Sequence, residues 1–157
     1  MASANPIRTV ADELQLMTAL RSLMQEEQAC LIQADGATLA TLTPEKSRLT
    51  QQLMALATQR QQALGAAGCA AEEAGMEVWL ERHADGAARR LWQELLELTR
   101  EAKELNRLNG MLIGKQLSHN QSILNALRTP TGGGGTNFYG PSGQTSVGGP
   151  SRHFVIG

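Results

Sequence analysis

The chain has 157 residues, the size of one ordinary domain, with 41% hydrophobic residues, only 3% aromatic residues and a net charge of −1. Without a basic field it has no means of neutralising a phosphate backbone, which excludes nucleic acid as a partner. Abundant Ala, Leu, Gln, Glu and Arg beside few β-branched and aromatic residues exclude a sheet protein and point to an all-α fold.

The first predicted element starts near Pro6. Val10, Leu14, Met17, Leu20, Met24 and Leu31 recur three and four apart, an amphipathic helix of about eight turns. Gly36 interrupts it, and a short turn of helix comes next. Thr43, Pro44 and Glu45 then offer a capping hydroxyl, a proline suited to the first helical position and a first-turn acid, so a second helix is expected to start there. It carries Leu49, Leu53, Leu56, Ala63 and Leu64 on one face. Arg60 is the one polar member of that stripe, where its stem can cover apolar surface. Glycines from Gly65 to Gly75 end the helix.

Met76 to His83 reads as a short helix containing Val78, Trp79 and Leu80, and Asp85 can cap the helix after it. From Gly86 to Leu127, Leu91, Leu95, Leu98, Ala102, Leu105, Asn109, Leu112, Gln116, His119, Ile123 and Ala126 keep the 4-3 spacing of a coiled-coil seam. Single stripes on helices this long need neighbours, and short links favour antiparallel ones. The expected architecture is an elongated antiparallel helical bundle, a coiled-coil hairpin of three main helices plus short ones, over residues 1–128. Residues 129–157 hold nine Gly, three Pro and a single charged residue, Arg152, the composition of a flexible tail. Phe138, Tyr139 and Phe154 lie in it, rings with no core to join, so the tail reads as an arm carrying an aromatic docking motif.

Little in the sequence supports catalysis. Gly110 to Gln116 is superficially like a phosphate loop, but it is one residue short between its glycines and has Gln where a hydroxyl should reach magnesium. Glu81 and His83 point to different helix faces, and HExxH is absent. Cys30 and Cys69 lack CxxC or histidine partners and read as structural thiols. His119 reads as a hydrogen-bonded packing residue. Glu94, Glu97, Glu101 and Glu104 interleave with Arg100, Lys103 and Arg107 as a salt-bridged, solvated face. No catalytic residue, metal or cofactor is expected. No apolar run reaches 18 residues and the N-terminus lacks a signal-type segment, so a cytoplasmic protein without an integral membrane span is expected.

The late part of the long helix is more informative. After Leu105 the seam takes in Asn109, Gln116 and His119, while Leu108, Ile113, Leu117 and Leu124 stand outside it. An apolar surface that widens and rotates belongs either to a buried core helix or to one with a face open to another chain. Gly110 and Gly114 favour the second reading, because each costs about 1 kcal/mol relative to Ala in a helix and both admit a close backbone.

The runs NRLNGMLI from Asn106, QLSHNQ from Gln116, LNAL from Leu124 and YGPSGQ from Tyr139 together resemble the FlgN family, the bacterial flagellar export chaperones. The motif-bearing stretch runs from Glu104 to Gln144. The resemblance implies a cytoplasmic, non-ATPase chaperone of the flagellar type III secretion system. Its clients would be the two hook-filament junction proteins, held through their C-terminal helical regions. Client binding would fall on Asn106, Leu108, Asn109, Gly110, Leu112, Ile113, Gln116, Leu117, Asn120 and Leu124. Docking on the cytoplasmic domain of the membrane export-gate protein would fall on Tyr139, with Phe138, Gly140 and Pro141 beside it. Leu108 stands where the family often has Ile, and the final SVGGPSRHFVIG carries no implied role. The rival reading is a structural or regulatory coiled-coil adaptor that self-associates through the 4-3 seam, and a homodimer is compatible with either.

Overall fold

The computed structural model describes residues 4–83 and 85–128, and the backbone of residues 138–139 and 145–146. The chain divides into two compact units, Met1–Ile113 and Gly114–Gly157. The first opens with a 3-10 turn, Pro6–Thr9, then α1 (Val10–Gln33), α2 (Gly36–Ala66) and α3 (Glu73–Arg82). α4 spans Gly86–Arg128, its residues from Gly114 belonging to the second unit. The described helices agree with the all-α expectation. In the second unit Phe138–Tyr139 pairs antiparallel with Thr145–Ser146, Phe138 opposite Ser146.

The second helix starts earlier than the sequence suggests. α1 ends at Ala34, whose left-handed backbone (φ 55°) turns the chain while its N–H bonds back to Cys30 and Leu31. Asp35 then caps α2, its carboxylate accepting the Thr38 N–H at 3.1 Å. That cap nucleates the helix at Gly36 and leaves Pro44 inside it. The ring removes one backbone donor, and neighbouring hydroxyls add others: Thr41 donates to the Thr38 carbonyl and Thr43 to that of Leu39. Thr43 therefore serves within the helix and not as its cap. Asp35 is held below the usual carboxylate range by its bonds from Thr38.

Later boundaries agree closely with the sequence. The chain turns at Gly68 (φ 77°), and Gly75 packs so tightly that a Cβ there would sit 1.9 Å from the Ala70 carbonyl oxygen. Asp85 starts α4, accepting the Ala87 N–H on its side chain at 3.0 Å.

Within the first unit, packing joins two apolar clusters. One gathers Val10, Leu64, Met76, Trp79, Leu80, Ala88, Trp92 and Leu95 where α3 covers the bundle. The other gathers Leu20, Leu23, Met24, Leu49, Leu53 and Ala102. Each cluster is accompanied by a buried acid of α1. Glu13 accepts from Arg60 Nε at 3.0 Å, the pair being almost wholly buried. The Arg60 guanidinium also lies 4.8 Å from the Trp92 ring, whose Nε1 donates to Glu77 at 3.1 Å. Glu27 accepts from Lys46 at 3.0 Å and from Asn109 Nδ2 at 2.8 Å. Glu13 with Arg60 and Glu27 with Lys46 fix α1 antiparallel to α2. Arg21 with Glu101 (2.8 Å) and Glu27 with Asn109 fix α1 parallel to α4.

These contacts can be tested by stability measurements. Glu13→Ala leaves the Arg60 cation buried without its carboxylate and should cost about 3 to 5 kcal/mol in urea unfolding, against a smaller loss for Glu13→Leu with Arg60→Met. Because the folded-state pKa of Asp35 is lowered, its contribution is present above the ordinary carboxylate pKa and is lost as pH falls through the folded value. Because a neutral Asn caps a helix about as well as an ionised Asp, Asp35→Asn should nearly keep the neutral plateau of a melting-temperature profile and flatten its acid limb.

Candidate functional site

In the first unit, α4 turns its seam inward. Leu95, Leu98, Ala102 and Asn109 are buried, and Leu105 and Leu112 half-buried. Asn109, 1% exposed, donates to the Met24 carbonyl at 2.9 Å as well as to Glu27. It therefore belongs to the interior of the bundle, apart from the exposed residues grouped with it in the sequence. Asn106 is exposed but engaged, accepting from Lys46 Nζ at 2.9 Å.

The other candidate residues of this unit lie at the surface. Leu108, Met111 and Ile113 are 37, 50 and 41% exposed. Gly110 is exposed, and a Cβ built on it meets nothing within 4 Å. Arg107 pairs with Glu104 at 2.6 Å, which lowers the Glu104 pKa and raises that of Arg107, and its other nitrogen reaches Met111 Sδ at 3.1 Å. A basic and thioether rim thus borders this apolar surface.

In the second unit, the helix carries Leu117, Ile123, Leu124 and Leu127 at 64, 46, 48 and 78% exposure. Asn120 is exposed and Gln116 half-buried. A Cβ added at Gly114 would likewise meet nothing within 4 Å, so neither glycine is required by internal packing. His119 is exposed, which corrects its expected packing role. Of the tail candidates, Gly140, Pro141 and the side chains of Phe138 and Tyr139 lie outside the described residues.

Glu27 and Lys46, which organise the approach to Asn106 and Asn109, are not marked by any motif in the sequence. Glu27 falls three residues after Met24 and four before Leu31, a seam position, and an acid there is the available signal. Cys30 is buried, and burial pushes its thiol pKa up, as expected of a structural cysteine; Cys69 is half-buried. The described residues contain no group of three or more potential metal-ligating side chains, and no described helix is long and apolar enough to cross a membrane.

The decisive comparison is with protein families: the model described as FlgN protein matches residues 1–146. The chain belongs to the FlgN family. The flagella synthesis protein FlgN of Salmonella typhimurium (strain LT2) is 31% identical over 137 residues, covering 84% of each chain. The protein of the same name from Salmonella typhi matches to the same extent. No solved structure matches the chain. FlgN membership extends the resemblance from the late helix and tail to the whole first unit.

The open surroundings of the two α4 glycines make a direct prediction. Gly110→Ala and Gly114→Ala should each stabilise the free chain by about 0.5 to 1 kcal/mol in chemical denaturation, since Ala lowers the helical entropy cost without meeting a neighbour.

Proposed function

We propose that the chain is a cytoplasmic flagellar export chaperone without catalytic activity. It binds hook-filament junction proteins through their C-terminal helical regions and passes them to the cytoplasmic domain of the export-gate protein. The observation that carries this reading is the set of large apolar side chains left exposed on α4, from Leu108 to Leu127, in a member of the FlgN family. Burying each leucine gains about 1.5 to 3 kcal/mol, so a client helix laid on these residues has ample driving force. Gly110 and Gly114 let its backbone come close. Of the residues implied by the family, Leu108, Gly110, Leu112, Ile113, Gln116, Leu117, Asn120 and Leu124 form the proposed client surface, with Asn106 at its edge.

Gate docking is assigned to Tyr139, with Phe138, Gly140 and Pro141 beside it, within the stretch the family model matches. Burying two rings gains roughly 3 to 6 kcal/mol, and ordering each residue costs about 1 to 2 kcal/mol. Such a contact is weak and releasable, as delivery requires. The self-associating adaptor draws less support. The 4-3 seam it would use is occupied inside this chain as far as Asn109.

Titration calorimetry on the full chain tests the assignment. Leu117→Asp with Leu124→Asp should weaken binding of a C-terminal junction-protein fragment by about tenfold or more and spare the gate domain. Tyr139→Ala should do the reverse. Wild-type affinity for the fragment in the double variant would move the client site off α4, and a wild-type chain that binds no fragment would return the adaptor to first place.

A further inference from the structure

The first unit has another surface that the late-helix site does not use. Between the antiparallel α2 and α4 lies a groove of about 480 Å³, floored by Met17, Leu20 and Met24 of α1. Its walls mix short side chains, Thr50 and Ala57 on α2 and Thr99 and Ala102 on α4, with the apolar Leu53 and Leu96. Larger residues there would fill the space between the two helices.

Polar bridges define both ends. Lys46 spans to Asn106 at one, and Arg60 lies over Trp92 at the other. The stretch of α2 from Lys46 to Arg60 is about 21 Å long at roughly 1.5 Å per residue, the length of a four-turn helix. The ends also differ in charge. Lys103 lines the end near Lys46 and Asn106. Glu73 lines the other, one helical turn before Glu77, the partner of Trp92 Nε1. Neither Lys103 nor Glu73 has an ion-pair partner among the described residues. The lip includes Met54, 65% exposed, a flexible thioether suited to an adaptable contact.

We propose that this groove docks one amphipathic helix of the client, completing a four-helix bundle with α1, α2 and α4. The client helix presents a Leu, Met and Ala face to the groove. It carries an acidic residue at the end that meets Lys103 and a basic residue at the end that meets Glu73. This rests on the chaperone reading and gives it a second contact site, distinct from the late part of α4.

The test titrates the full chain with the C-terminal helical fragment of a hook-filament junction protein. Two variants are compared with wild type: Ala57→Leu with Thr99→Leu, which fills the groove, and the surface change Lys103→Glu. The filled variant should melt at or above the wild-type temperature and bind the fragment about tenfold more weakly or worse. Lys103→Glu should weaken binding about threefold at low salt, with the difference fading as salt is raised. Wild-type affinity in the filled variant overturns the groove site and leaves the α4 client site standing. If the filled variant fails to fold, Lys103→Glu decides, and an unchanged affinity there overturns the proposal. Failure of the wild-type chain to bind any fragment overturns both readings together. A wild-type dimer, seen by light scattering and broken by the filled variant, would make the occupant a second copy and overturn the client assignment.

Discussion

Two carboxylates on one side of α1, Glu13 and Glu27, set the register of the first unit. Each is almost completely buried and met by a cation from α2; Glu13 also accepts from the Thr9 hydroxyl, and Glu27 from Asn109 of α4. A buried ion pair gains little over a well-packed apolar pair, because desolvating both charges offsets their attraction. What it supplies is intolerance of error. A bundle slipped by one turn would leave Glu13 opposite Leu64 or Leu56 and not Arg60, with a charge buried and unpaired. Leucine stripes alone would accept that slip at small cost, as all-apolar seams do in coiled coils.

The same pairs account for the uneven closure of the bundle. At the Glu13 end, α3 adds Met76, Trp79 and Leu80, and Arg60 is sandwiched between a carboxylate and the Trp92 ring. At the Glu27 end, Lys46 reaches both Glu27 and Asn106, which holds α2 and α4 at the distance of an extended lysine side chain. Between these struts the lining includes the short side chains of Thr50, Ala57, Thr99 and Ala102, which leave space above the floor of α1. The groove is thus a consequence of the polar register, since the bridges at its ends resist the collapse that would otherwise fill it.

Most of the helical order is legible in the sequence because it rests on local chemistry. The apolar periodicity marks Val10, Leu20, Met24 and Leu31, and all four are buried. Asp85 marks the start of α4 through its cap. The start of α2 is misleading because Thr43-Pro44-Glu45 has the composition of a helix beginning, whereas Asp35 caps the chain eight residues earlier and the helix, once nucleated, runs through the proline. Arg60 stands out as a polar residue in an apolar stripe, but its partner Glu13 is 47 residues away, and no local rule joins them. Asn109 groups with the exposed face by its neighbours in sequence. Only the tertiary contact with Met24 and Glu27 shows that it turns inward.

The α4 surface divides sharply in what stabilises it. As far as Asn109 the helix is anchored by buried leucines and by polar contacts to α1. From Gly114 to Arg128 no residue is fully buried, although Gln116, Asn125 and Ala126 keep contacts of their own, so packing holds this part of the helix less than the part before Asn109. The leucines of this part are exposed, and on the proposed reading a client helix that covered them would gain contact area. On the proposed chaperone reading, exposed apolar area, costly in an ordinary domain, is the property that a client-binding surface requires.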